Sequence, residues 1–144
     1  MSPIHFHFLL PVSGLKNRTK LRRFLLNTAT RAGRPLEDLG IVFCTDPYLL
    51  DINKRFLDHD YFTDIITFDL SATPRGPISA ELYISVDRVK ENAQSLGASF
   101  YMELHRVIFH GLLHLIGYSD KTPKAQKAMR AKEDEMLALY FKAP

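Results

Sequence analysis

Val107-Ile108-Phe109-His110-Gly111-Leu112-Leu113-His114-Leu115-Ile116-Gly117-Tyr118-Ser119-Asp120 is the stretch from which the rest of the chain can be read. Val107, Ile108, Phe109, Leu112, Leu113, Leu115 and Ile116 are apolar nearly all round a helical projection. That pattern marks a helix buried inside a fold rather than lying on its surface. His110 and His114 stand four apart, so their imidazoles fall on one helix face and can converge on a point. Gly117 tolerates the left-handed conformation that ends a helix. The turn after it can bring Asp120 back to the same point. Two histidines at helical spacing can also be ordinary core residues. Here the apolar surroundings count against that, because a buried imidazole without a partner is costly. His110, His114 and Asp120 are therefore the candidate metal ligands, and three protein ligands with one open position are typical of a catalytic zinc site.

The spacing is close to the metzincin pattern H-E-x-x-H-x-x-G-x-x-H and departs from it twice. Asp120 stands at the third histidine, where a carboxylate is still a ligand. Gly111 stands at the glutamate that deprotonates water in those proteases, so peptide hydrolysis by that route is not expected. A carboxylate beside two imidazoles also suits iron, nickel or manganese; zinc is the first choice.

Around this helix the chain reads as alternating strands and helices. Ile4 to Leu10 alternates Phe6 and Phe8 against His5 and His7, as a strand does. Pro11 to Asn17 is a loop, and Thr19 caps a helix to Ala32. Asp38 to Thr45 is a buried strand, and Asp46-Pro47 opens a helix ending near Phe56 or Leu57. Ile65 to Leu70 and Ala80 to Val86 are strands joined by a turn-rich connector. Asp87 begins a helix to Leu96, Ser99 caps the histidine helix, and Thr122-Pro123 starts the last one. The order predicts an α/β fold: one domain over residues 1–144, with helices packed on a mixed, mostly parallel four-stranded sheet.

Composition narrows the class. The chain has 144 residues, 46% hydrophobic and 24% charged, as expected of one globular domain. Its one cysteine, Cys44, cannot form an internal disulfide and lies in an apolar run, so it reads as a buried, inert thiol. The first residues lack the positive n-region of a signal peptide, and no apolar stretch approaches the ~20 residues of a membrane span. A cytoplasmic protein is expected. The net charge of +3 is uneven. Residues 1–36 hold no acid but carry Lys16, Arg18, Lys20, Arg22, Arg23, Arg31 and Arg34, whereas residues 37–69 hold eight acids against Lys54 and Arg55. The basic region is a candidate surface for a polyanion.

His110, Gly111, Leu113, His114, Leu115, Gly117 and Tyr118 resemble, in register, the signature H-G-x-L-H-L-x-G-Y-x-H of the YbeY family, the bacterial rRNA maturation factors. Ile52 to Phe56, Thr63 to Phe68 and Ala80 to Ile84 resemble other segments of that family, and Met129 its methionine beyond the third ligand. The resemblance runs from about residue 40 to the C-terminus. It implies an α/β fold holding one zinc ion. The implied activity is a single-strand-specific, metal-dependent endoribonuclease that matures the 3′ end of 16S rRNA and serves ribosome quality control. The small ribosomal subunit and its associated proteins are the implied partners. An arginine that the family places in its substrate channel is Leu57 here, so Arg55 and Arg106 are the substrate-binding candidates. Glu81 is a candidate general base. Two other readings stay open: a non-nucleolytic ribosome-assembly factor with a structural metal, and a metallopeptidase-like hydrolase.

Overall fold

A computed structural model describes residues 2–13 and 15–142; Gly14, inside the expected first loop, and residues 1, 143 and 144 lie outside the described residues. The elements are β1 (Ile4–Phe8), α1 (Arg18–Arg31), β2 (Leu36–Cys44), α2 (Asp46–Leu57), β3 (Ile65–Asp69), β4 (Ile78–Ser85), α3 (Val86–Leu96), α4 (Phe100–Leu115) and α5 (Pro123–Lys142). The sheet order is β1-β2-β4-β3. β1, β2 and β4 run parallel, and β3 joins the β4 edge antiparallel. The expected mixed, mostly parallel sheet of four strands is what forms.

Strand alternation gives the sheet two different faces. Ile4, Leu39, Ile41, Phe43, Ala80, Leu82 and Ile84 belong to the main core, with residues of α1, α4 and α5. The in-between residues Cys44 and Ile66 join Leu49 and Ile52 of α2 in a second, smaller core, with Phe68 and Tyr83 packed against it. α4 thus lies on one face and α2 on the other. Cys44 is fully buried in the smaller core, where burial and the nearby Asp46 and Asp87 push its thiol up to about 12. The inert reading of this cysteine holds.

Several boundaries fall a residue or two from the sequence reading, and the caps explain them. α1 is capped by Asn17, whose Oδ1 accepts from Lys20 N, and not by Thr19. Asn17 sits at φ 56, a left-handed conformation that asparagine tolerates better than threonine. α2 is capped by Thr45, whose hydroxyl accepts from Tyr48 N, which leaves Asp46 in the first turn. Asp46 instead accepts from Ser85 and Arg88 and so ties α2 to the start of α3. Ser85 caps α3 by accepting from Arg88 N. Ser99 caps α4 as expected.

Arg34 departs from its place in the basic N-terminal region. It is buried, and its guanidinium donates to the carbonyls of Leu115 and Gly76 and to Asp69 Oδ2. It pins the end of α4 to the β3–β4 connector, where a cation also meets the negative end of the helix. Among the described residues, no helix is long and apolar enough to cross a membrane.

Candidate metal centre

α4 leaves its buried course at Gly117, whose φ of 113 only glycine adopts readily. Gly117 N donates to His114 O and Tyr118 N to Leu113 O, closing the helix. The chain then turns back over the helix end, and Gln126 of α5 donates to the Asp120 carbonyl. Asp120 Oδ2 thereby lies 3.3 Å from His114 Nε2 and 3.7 Å from His110 Nε2, and the two Nε2 atoms are 3.0 Å apart. Bonds of about 2.0–2.1 Å in a tetrahedron imply ligand atoms about 3.3 Å apart. The three donors fit one metal ion, and they are the cluster of this kind found among the described residues. The expected set is brought together in full.

Glu133 completes the arrangement, and the sequence reading missed it. Only 4% exposed on α5, it accepts from His110 Nδ1 at 2.6 Å. A proton on Nδ1 leaves the Nε2 lone pair for a metal, the usual carboxylate–histidine–metal relay. Burial alone lowers the His110 pKa, but the hydrogen bond and charge of Glu133, with Asp64 and Asp120, outweigh it and raise the value above 6.5. A signal for Glu133 was present: it sits one turn after Met129 on the stripe that α5 buries. A charge on a buried stripe needs a partner.

A cavity of about 520 Å³ opens over the centre, walled by Asn92, Ser95 and Leu96 of α3 and by Gln126, Met129 and Arg130 of α5. It holds a second residue that the sequence reading passed over, Asp64. Its Oδ2 accepts from Asn92 Nδ2 at 3.2 Å, and it makes no ion pair among the described residues. Burial raises its pKa; the charge of His110 and two backbone N–H groups oppose this less strongly.

The remaining candidates fall elsewhere. Arg106 does line the cavity, one turn before His110, but it is held by carboxylates: Asp134 at 2.8 Å, Glu133 at 3.2 Å and Glu103 at 3.9 Å. Arg55 is exposed on α2 and pairs with Asp51 at 3.0 Å, and neither it nor Leu57 lines the cavity. Glu81 needs correction as a general base. It neighbours Leu82, whose methyls lie against Gly111 of α4, so strand alternation turns Glu81 to the α2 face. There it accepts from the Tyr83 hydroxyl at 3.2 Å and lines a small apolar groove with Phe56 and Phe68. The same contact explains Gly111. A Cβ there would come within 2.8 Å of Ile65 Cδ1 and 2.9 Å of Leu82 Cδ1, so a side chain at 111 would displace these two core side chains.

The model of the family described as Endoribonuclease YbeY matches residues 15–140. The chain belongs to the YbeY family. Among YbeY relatives, an endoribonuclease YbeY from Cytophaga hutchinsonii is 50% identical over 125 residues, 87% of each chain. Another, from Bacteroides thetaiotaomicron, is 42% identical over 116 residues, 81% of this chain and 83% of its own. The solution structure of a Thermotoga maritima protein shares the fold at a TM-score of 0.65 and 24% identity, over 95% of this chain and 89% of that one. The resemblance drawn from the 110–120 motif is thus borne out, and the match begins well before residue 40.

Proposed function

We propose that this chain is a metal-dependent endoribonuclease that cuts ribosomal RNA, with His110, His114 and Asp120 holding one zinc ion. The observation that carries the reading is the meeting of these three donors beneath an open cavity, in a chain whose relatives are named endoribonucleases. When bound, the ion would supply positive charge for a phosphoryl oxygen and a water ionising near pH 7. Zinc suits the nitrogen-rich set and the tetrahedral spacing.

The protein's own groups have separable tasks. Glu133 holds the Nδ1 proton of His110 and so fixes which nitrogen faces the ion. Asp64 is the cavity carboxylate without a cation, and it accepts the proton that an attacking water gives up. Arg106 holds Glu133 in place. The cavity carries Asp64, Glu103, Asp120 and Glu133 against Arg106 and Arg130. It therefore repels phosphate until a divalent cation redresses the charge, which makes RNA binding near the centre metal-dependent. The substrate is the 3′ end of 16S rRNA on the small ribosomal subunit, with ribosome-associated proteins as partners, on the strength of the family.

The deciding experiment compares wild type and His114→Ala, purified from the same RNase-poor host without added metal. Wild type is expected to carry one zinc per chain and to cut rRNA; the variant should lose both. Equal cutting by the two would overturn the reading. Zinc retained by wild type without cutting would favour the non-nucleolytic assembly factor. A consistent iron or nickel load would replace zinc.

A further inference from the structure

α5 changes character half-way along. From 121 to 132 it has Lys121, Lys124, Lys127, Arg130 and Lys132 and no acid, before the run Glu133-Asp134-Glu135. Lys121, Lys124 and Lys127 are exposed, and among the described residues none meets a carboxylate. Arg130 is half-exposed and only 3.8 Å from Glu133, and it forms part of the cavity wall beside the centre. Lys124, Lys127 and Arg130 recur every three residues. They make a ridge about 9 Å long that winds down α5 into the cavity mouth.

The N-terminal basic region is built differently. Arg18 and Arg22 lie over the rings of Phe8 and Phe6, and Arg22 also donates to Ile4 O. Lys20 lies over Tyr140, and Arg34 is buried. Arg18 and Arg22 thus flank β1, the sheet edge opposite β3, whereas the centre lies on α4, which packs against β3 and β4. Most of that charge is spent on packing against rings and backbone carbonyls.

We infer that the ridge Lys124-Lys127-Arg130 on α5 is the track along which the phosphate backbone of the RNA strand enters the centre. This rests on the RNA reading above. The acidic cavity and the basic ridge divide the work: the cavity, once its three ligands held an ion, would take the phosphate to be cut, and Arg130, Lys127 and Lys124 hold the phosphates that follow.

The test measures binding of a labelled single-stranded 2′-O-methyl RNA to the zinc-loaded protein across a salt series, with RNA cleavage in parallel. Lys127→Glu with Arg130→Glu is compared with Arg23→Glu plus Arg31→Glu on α1, two exposed cations that form no ion pair among the described residues. The α5 pair should bind about tenfold more weakly at 0.1 M salt. Each lost phosphate contact removes about 0.7 from the salt slope of a single strand, so the slope should fall by about 1.4. KM should rise with kcat nearly unchanged, and zinc content should stay at one. The α1 pair should bind within about twofold of wild type. Should the reversals fail to fold, Lys127→Gln with Arg130→Gln must show the same fall in slope, with a smaller loss of affinity because no repulsion is added. Unchanged affinity and slope in the α5 variants, or a larger loss in the α1 pair, overturns the inference while cleavage by wild type keeps the nuclease reading. Wild type that neither binds nor cuts RNA overturns both.

Discussion

The two faces of the sheet carry carboxylates in opposite situations. On the α4 face, Glu133 is buried, bound to His110 and Arg106, and part of the centre. On the α2 face, Glu81 lies in a shallow groove beside Phe56, which is 69% exposed, and meets one tyrosine hydroxyl. Glu81 stands alone between Ala80 and Leu82, and Glu133 opens the run Glu133-Asp134-Glu135; the sequence singles out the first as a base and gives the second no such mark. What separates them is which way the backbone turns the side chain, and what stands there to answer it. One face buries charge and makes it specific; the other leaves charge near water, where it is cheap and weakly consequential.

The comparison breaks most sharply at Gly111. Gly111→Glu would restore the protease-like base, yet it forces a carboxylate between Ile65 and Leu82 in the main core. Loss of more than about 4 kcal/mol is expected, a fall in Tm of more than about 10 °C, with no peptidase activity gained. Thermal melting beside a casein assay checks it, and a stable variant that cuts casein would revive the peptidase reading. Next comes Asp64→Asn, which should keep zinc and lower kcat for RNA by about 10²–10³. Zinc analysis with single-turnover cleavage tests this; a loss confined to zinc content would make Asp64 a structural residue.

Glu133→Gln should weaken zinc binding by about 10–100-fold, read by competition with a chelator. The same variant sharpens the pH dependence of the metal-free protein. His110 holds its proton above the ordinary 6.5 because of Glu133. The pair's stabilisation is therefore complete below pH 6.5 and is lost as pH rises through the raised folded value. Metal-free wild type should lose Tm across that window, and Glu133→Gln should flatten the loss. The smallest effect belongs to the other face. Glu81→Gln should change stability by less than about 0.5 kcal/mol and cleavage of naked RNA by less than about twofold. A large loss of cleavage there would abolish the distinction between the faces.

Much of the molecule was legible because its signals are local. Histidines four apart, a glycine three further on and an acid after it are facts of chain geometry, and they point to the three side chains that the fold brings together. Strand alternation and apolar helix stripes likewise produced the element order and the single mixed sheet. Misreadings arose where a residue's role depends on a distant one. Arg34 looked like surface charge until the carbonyl of Leu115, 81 residues away, was seen to accept from it. Asp46 looked like a cap, but Arg88 claims its carboxylate. In the basic N-terminal region, density of charge in sequence says nothing of which cations already meet rings and carbonyls, as Arg18, Arg22 and Lys20 do.

The sequence by itself determined that a buried helix presents two imidazoles and a returning carboxylate, since helical periodicity and glycine's freedom at positive φ are properties of the local chain. Tertiary structure alone decided which carboxylates serve that centre. Glu133 reaches it from α5, Asp64 lines the cavity over it from the approach to β3, and Glu81 lies on the other face, because the face on which a side chain emerges depends on the register and packing of a whole sheet. A charge acquires its chemistry from the few ångströms around it, and those are filled by residues far away along the chain.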